Sequence, residues 1–232
     1  MKLNQRQEEI LKLLEANGQV KVTTLSKSLY ASEMTVRRDL QFLENEGFLV
    51  RCHGGALPIG NHLLFPTKYR MLINDKEKKM LALSAKKYLR DDITVFFNSS
   101  STCAYLVPYL NEYRNIHVVT NSLYLTTLLE PSNIPCTVTG GDYLRAENCL
   151  CGSITEEFLR KIHPDIAFLS CEGLSENLEI TESQLPLAQV VRIAVQNSKL
   201  CVFLMDSSKI GNEYTHVVCR STNCSNVIVI TK

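Results

Sequence analysis

Apolar residues recur at helical spacing in three short stretches near the start of the chain. Ile10, Leu11, Leu13 and Leu14 form the first stripe, and Asn4 with Gln7 three residues later has the pattern of an N-terminal capping box. Asn17-Gly18 ends that helix. A brief β-like Val20-Lys21-Val22 leads to a second helical stretch carrying Leu25 and Leu29, with Thr23 or Thr24 as its cap and an end near Tyr30-Ala31. Ser32 caps a third helix over 33–45. Val36, Leu40 and Leu43 fall at i, i+4 and i+7 there and face inward, leaving Thr35, Arg37, Arg38 and Gln41 outside. After Gly47, residues 48–56 read as two short strands around a tight turn at Gly54-Gly55.

Residues 57–61 (Leu-Pro-Ile-Gly-Asn) break both periodicities, which predicts a linker and connecting segment over 58–73. Beyond it the pattern changes character. Asn74 or Asp75 caps a helix whose Lys76, Lys78, Lys79, Lys86 and Lys87 form a solvated face, with Met80, Leu81, Leu83 and Leu89 on the core side. Short β-branched or aromatic runs at 93–97, 117–120, 136–139, 166–170, 200–205 and 227–231 then alternate with helical runs at 103–110, 123–129, 156–162 and 187–197. Such alternation predicts a mostly parallel sheet covered on both faces. The expected fold class is therefore α/β, in three parts. A winged helix-turn-helix occupies 1–57, a connecting segment 58–73, and an α/β domain 74–232.

Composition narrows the setting. With 45% hydrophobic and 21% charged residues over 232 positions, and no apolar run near the length a bilayer requires, no membrane partner is expected. The polar start, Met1-Lys2-Leu3-Asn4-Gln5-Arg6, lacks the apolar stretch of a secretory signal, so the expected location is the cytoplasm. There the nine cysteines read as reduced thiols, mostly core residues. Cys149-x-Cys151 and Cys219 with Cys224 have no spaced histidine pair beside them, so neither a metal nor a cofactor is expected. Up to Gly60 the chain carries eight Lys or Arg against seven Asp or Glu. Global charge thus neither supports nor excludes nucleic acid, and distribution has to decide.

Two helices joined by a turn of about four residues, the second bearing Thr35, Arg37, Arg38 and Gln41 outward, suit a DNA major groove. Arginine reads guanine bidentately and glutamine reads adenine. Ser32 opens that helix, and Arg51 and His53 on the wing lie near the DNA backbone or minor groove, which completes the DNA-binding set. In the second domain, small polar loops follow the strands: Asn98-Ser99-Ser100-Ser101-Thr102, Asn121-Ser122, Gly140-Gly141, Glu172-Gly173 and Asp206-Ser207-Ser208-Lys209. Ligands of open parallel sheets bind at the carboxyl ends of strands, and hydroxyls, backbone N–H groups and Lys209 together suit a phosphate. Asn98, Ser99, Ser100, Ser101, Thr102, Asn121, Gly140, Gly141, Glu172, Asp206 and Lys209 are the expected effector-binding residues.

The string Ser32-Glu33-Met34-Thr35-Val36-Arg37-Arg38-Asp39-Leu40, followed by Gly47 and by Arg51-Cys52-His53-Gly54-Gly55-Ala56, resembles the DeoR family of bacterial transcriptional regulators. Thr120-Asn121, Gly140-Gly141 and Asp206-Ser207-Ser208-Lys209-Ile210-Gly211 extend the resemblance. The pattern is broken where Asn98 stands for Asp, Ser100 for Gly, Glu179 for Gly, Gln189 for Glu and Val191 for Lys. The resemblance implies an effector domain like the sugar-phosphate isomerase and coenzyme A transferase fold. It also implies a repressor of carbohydrate metabolism genes controlled by a phosphorylated sugar or related metabolite. Expected partners are a double-stranded DNA operator, a phosphorylated small-molecule effector, and further copies of the chain as a dimer or tetramer, since one recognition helix covers too few base pairs for specificity. The rival is a sugar-phosphate isomerase-like enzyme on the same scaffold. It is disfavoured because Asn98 takes no proton and only Glu172, Asp206 and Lys209 remain as acid or base.

Overall fold

The computed structural model describes residues 3–58, 70–71 and 73–231. The chain divides into two compact units, Met1–Leu72 and Ile73–Lys232. Most of the expected connecting segment at 58–73 lies outside the described residues.

The first unit contains helices α1 (Gln5–Asn17), α2 (Val22–Ser28) and α3 (Glu33–Asn45), and a small antiparallel sheet of β1 (Val20–Lys21), β3 (Gly55–Leu57) and β2 (Val50–Cys52). The capping box forms as the sequence predicts: Asn4 accepts from the Gln7 N–H and the Gln7 side chain accepts from the Asn4 N–H. Gly18 closes α1 in the left-handed region with φ 67°. Ile10, Leu11, Leu14, Leu25, Val36, Leu40, Leu43, Phe48 and Leu49 are buried and make the core. Neither Thr23 nor Thr24 caps α2. The helix starts at Val22 with no side-chain cap, because the N-cap position falls on Lys21, whose side chain carries no acceptor; the Val22 N–H is bonded to the Gly54 carbonyl of the wing at 2.8 Å. The wing turn is also shifted from expectation. His53 and Gly54 make it, whereas Gly55 already pairs in β3, where a Cβ would collide with the Val20 carbonyl.

The second unit is built on a six-stranded sheet, every neighbouring pair of which is parallel. Its strands are β4 (Thr94–Phe97), β5 (His117–Thr120), β6 (Cys136–Val138), β9 (Ile166–Leu169), β12 (Leu200–Met205) and β14 (Val227–Thr231), in the order β14-β12-β9-β4-β5-β6. The strand order reverses between β4 and β9, which opens a crevice at their carboxyl ends. Alternate strand residues feed two cores. Val95, Phe97, Val118, Phe168, Val202 and Leu204 pack into one, and Phe96, Val119, Ala167, Leu169, Cys201 and Phe203 into the other. On the first face lie α4 (Asp75–Ala85), α5 (Val107–Leu110) and α6 (Leu123–Leu129); α7 (Ser153–Arg160) and α8 (Leu185–Asn197) lie on the second. Two antiparallel ribbons escaped the sequence pattern. One is β7 (Asp142–Leu144) with β8 (Cys149–Cys151); the other is β10 (Gly173–Leu174), β11 (Glu179–Glu182) and β13 (His216–Arg220).

The sequence-based phase of α4 is wrong. Met80 and Leu83, expected in the core, are exposed, while Lys78, expected in solvent, is buried beside Leu81, Ala82 and Ala85. All nine cysteines are free, and burial pushes the thiols of Cys103 and Cys201 up to about 12. Among the described residues no group of three or more His, Cys, Asp or Glu is arranged to hold a metal, and no helix is long and apolar enough to cross a membrane.

Candidate nucleic-acid interface and effector site

Ser32 caps α3, its hydroxyl accepting from the Thr35 N–H at 3.2 Å and lying 2.9 Å from the Thr35 hydroxyl. Its oxygen is thus committed to starting the helix, with Thr35 half-buried beside it. Arg37 and Arg38 are exposed. Arg37 is held by Glu33 one turn earlier at 3.3 Å, whereas Arg38 has no side-chain partner among the described residues. The Gln41 amide is engaged on both ends. Its oxygen accepts from the Arg51 guanidinium, and its nitrogen donates to Glu44 at 3.3 Å and Asn45 at 3.0 Å. Glu44 also accepts the Arg51 N–H at 2.8 Å, so the wing and the recognition helix are bonded to each other. His53 stands exposed at the wing tip.

Sequence reasoning left Asp39 without a role. The structure turns it inward, where its carboxylate accepts from Arg6 Nε at 2.5 Å and Gln7 Nε2 at 3.2 Å, tying α3 to α1. The acid of the Arg-Arg-Asp string therefore belongs to the fold of this unit, not to its outer face.

In the second unit, the loops after β4 and β12 are drawn together. Asn98 is buried and bonds Ser170 twice, its amide donating to the carbonyl at 2.8 Å and its oxygen accepting the N–H at 3.3 Å. The side chain thus imitates one more rung of the β4–β9 ladder, at the head of the crevice. Ser99, Ser101 and Thr102 are buried, and Ser100 is half-buried. The Ser100 hydroxyl accepts from the N–H groups of Thr102 and Cys103, so among the loop's amides those of Ser99 and Ser101 are left without a partner among the described residues. Thr102 donates to Asp206 at 3.4 Å.

Asp206 also accepts from Asn74 at 3.0 Å and from the Ser208 N–H and hydroxyl at 3.2 and 2.5 Å. Burial alone would raise this carboxyl. The Ser208 hydroxyl, the charges of Lys78 and Lys209, and Asn74 outweigh it and hold Asp206 below its ordinary value. Lys78, absent from the sequence-based set, donates to the Ser101 hydroxyl at 3.2 Å. Glu77 on the same helix holds Ser207 by its N–H and hydroxyl at 2.6 and 2.8 Å. Helix α4 is therefore a third wall of the site, and Lys209 is a half-buried second cation near Asp206.

The remaining expected residues bond elsewhere. Asn121 donates to the Leu150 carbonyl at 2.8 Å, but its own buried oxygen has no partner among the described residues. The Gly140 carbonyl accepts from Thr155, and Gly141, at φ 124°, packs where a Cβ would strike Thr155 and the Cys151 carbonyl. Glu172 accepts the Ser183 N–H at 2.9 Å.

A winged helix-turn-helix joined to a parallel α/β unit with a polar, cation-bearing pole defines a transcription regulator with a sensing domain. The DeoR C terminal sensor domain matches residues 73–230, and the DeoR-like helix-turn-helix domain matches residues 6–60. The chain belongs to the DeoR family of DNA-binding transcription regulators. It is 34% identical to the L-fucose operon activator of Haemophilus influenzae, over 89% of this chain and 84% of that one. It is 28% identical to the HTH-type transcriptional regulator GolR of Listeria innocua, over 98% and 91%. With the glycerol-3-phosphate regulon repressor of Escherichia coli the figures are 25%, 91% and 84%. Among solved structures, ribose 5-phosphate isomerase A from Methanocaldococcus jannaschii aligns at 20% identity and a TM-score of 0.43, over 59% of this chain and about half (55%) of that one.

Proposed function

We propose that this regulator controls carbohydrate metabolism genes as a repressor, in response to a phosphorylated sugar or related metabolite bound where α4 meets the loops after β4 and β12. The observation that carries the reading is the convergence of two cations on this pole: Lys78, buried and donating to the Ser101 hydroxyl at 3.2 Å, and Lys209, half-buried near Asp206. Two positive charges beside the Ser101 hydroxyl and the N–H groups of Ser99 and Ser101, open among the described residues, suit a phosphate. Across the same pole, the unmatched oxygen of Asn121 is an acceptor suited to a sugar hydroxyl. Asn98, Ser99, Ser100, Thr102, Gly140, Gly141 and Glu172 complete the site, with Asp206 orienting the loop that bears Lys209. Relatives that include an operon activator, a lactose phosphotransferase system repressor and a glycerol-3-phosphate regulon repressor support the carbohydrate setting. DNA is read by Ser32, Thr35, Arg37, Arg38, Gln41, Arg51 and His53, with two or more copies of the chain on paired half-sites in the cytoplasm. An isomerase reading is weaker, because Asn98 takes no proton and Asp206 is committed to four donor groups.

Calorimetry with a panel of sugar phosphates on the wild type, Lys78→Met and Lys209→Ala tests the site, and operator titration with the same ligands tests the switch. A phosphorylated ligand should bind the wild type, lose at least tenfold in affinity in Lys78→Met, and shift operator affinity by the ~1–3 kcal/mol typical of coupled sites. Equal binding to all three proteins would overturn the site, and binding that leaves operator affinity unmoved would overturn the switch.

A further inference from the structure

The outer face of α3 carries an apolar residue where every neighbour is polar. Val36, Asp39, Leu40 and Leu43 are buried and define the inward direction of the helix. At about 100° per residue, the opposite line runs through Met34, Arg38, Gln41 and Asn45, all exposed. Thr35 and Arg37 fall to either side of it. Met34 therefore lies on the same outward line as Arg38, one turn nearer the N-terminus of α3, and is 63% exposed. It contributes nothing to the core of its unit. In the free protein Gln41 is tied to Arg51, Glu44 and Asn45, which leaves Met34 and Arg38 as the members of this line with no polar bond to break among the described residues.

Recognition helices of this type present their N-terminal residues to base edges in the major groove. The one apolar group on that edge is the C5-methyl of thymine. A thioether on an unbranched side chain adapts readily to such a target.

Resting on the DNA-binding assignment, we propose that Met34 reads a thymine in each operator half-site through its C5-methyl group, beside the base contacted by Arg38. The residue is a specificity determinant, and its effect is confined to one base position.

The test starts from operator fragments selected by the full-length protein. Each thymine is replaced singly by deoxyuridine, which removes only the methyl, and affinity is measured for the wild type, Met34→Ala, Tyr30→Ala and Arg38→Ala. The wild type should lose about fourfold at one thymine per half-site, the value of one buried methyl-sized group. Met34→Ala should bind thymine and uridine equally there and keep the wild-type response elsewhere. Arg38→Ala should bind more weakly throughout while keeping the uridine sensitivity. If no thymine is methyl-sensitive, or if the sensitivity survives in Met34→Ala or vanishes in Tyr30→Ala instead, the Met34 assignment falls while DNA binding stands. Failure to select any operator would remove the DNA-binding reading and this inference with it.

Discussion

Asp39→Ala separates a residue that builds the recognition helix from those that use it. The carboxylate is buried and accepts from Arg6 at 2.5 Å and from Gln7 at 3.2 Å. Arg6 is 36% exposed, so its guanidinium returns to water once the acid is gone, and its share is discounted for screening. Gln7 is buried, and its amide nitrogen loses its acceptor. A hydrogen bond to a charged group contributes about 1.5–3 kcal/mol and an orphaned buried donor costs about 1–3 kcal/mol. With the Arg6 part reduced, the expected loss is about 2–3 kcal/mol. Asparagine keeps an oxygen for Gln7, so Asp39→Asn should lose about 1 kcal/mol, the neutral part of the same scale. A two-unit chain does not guarantee a single unfolding transition, so the assay is native-state hydrogen exchange read by segment. Amides of α1 and α3 should lose protection in Asp39→Ala while those of β4, β9 and β12 keep theirs. Unchanged exchange in α1 and α3 would refute the structural role. If operator binding were then lost as well, Asp39 would belong to the interface.

Two further perturbations address the second unit. Asn98→Asp, which restores the acid of the family pattern, keeps an acceptor for the Ser170 N–H but loses the donor to its carbonyl, at a cost of about 1–3 kcal/mol at neutral pH. Urea unfolding should show that cost shrinking at acid pH, where a protonated carboxyl donates again; equal stability of the two proteins at pH 7 would refute the ladder-rung reading. The native value of Asp206 is depressed, so its contribution is full above the unfolded value of ~3.9 and is lost as pH falls through the native value. The stability advantage of the wild type over Asp206→Asn should therefore narrow below about pH 4, and an advantage that stays constant down to pH 3 would contradict the network drawn around it.

Local signals were the most legible in the sequence. The capping box at Asn4 and Gln7, the Ser32 cap and the span of α3 all depend on residues within a turn of one another, and each is where the sequence places it. Helix phase was legible in α3 but misread in α4. There the large apolar Met80 and Leu83 outweighed the set Lys78, Leu81, Ala82 and Ala85, whose i, i+3, i+4, i+7 spacing marks the buried side once alanines count as core. The wing was legible in outline, yet the start of α2 was not, because its first N–H is satisfied by Gly54, more than thirty residues away in the chain. The same limit hid the ribbons β7–β8 and β10–β11–β13, whose strands are two to five residues long and are defined by their partners rather than by any period of their own.

The near-neutral charge of the first sixty residues has its explanation in where the acids sit. Asp39 is turned inward onto Arg6, Glu33 holds Arg37, and Glu44 holds Arg51. None of the three lies on the outward line of Met34, Arg38, Gln41 and Asn45. The Glu33–Arg37 pair is exposed and contributes only ~0–1 kcal/mol, so exchanging Glu33 for a phosphate or a base costs less than the about 1–3 kcal/mol that a good base contact returns. On an arbitrary sequence, where only the phosphate term is available, that exchange gains little, because two arginines already have acidic partners. The acids thus hold down binding to DNA at large and leave base contacts to set the ratio of operator to non-specific affinity. A regulator that must find few sites among many depends on this ratio of specific to non-specific affinity, and total positive charge would raise both together.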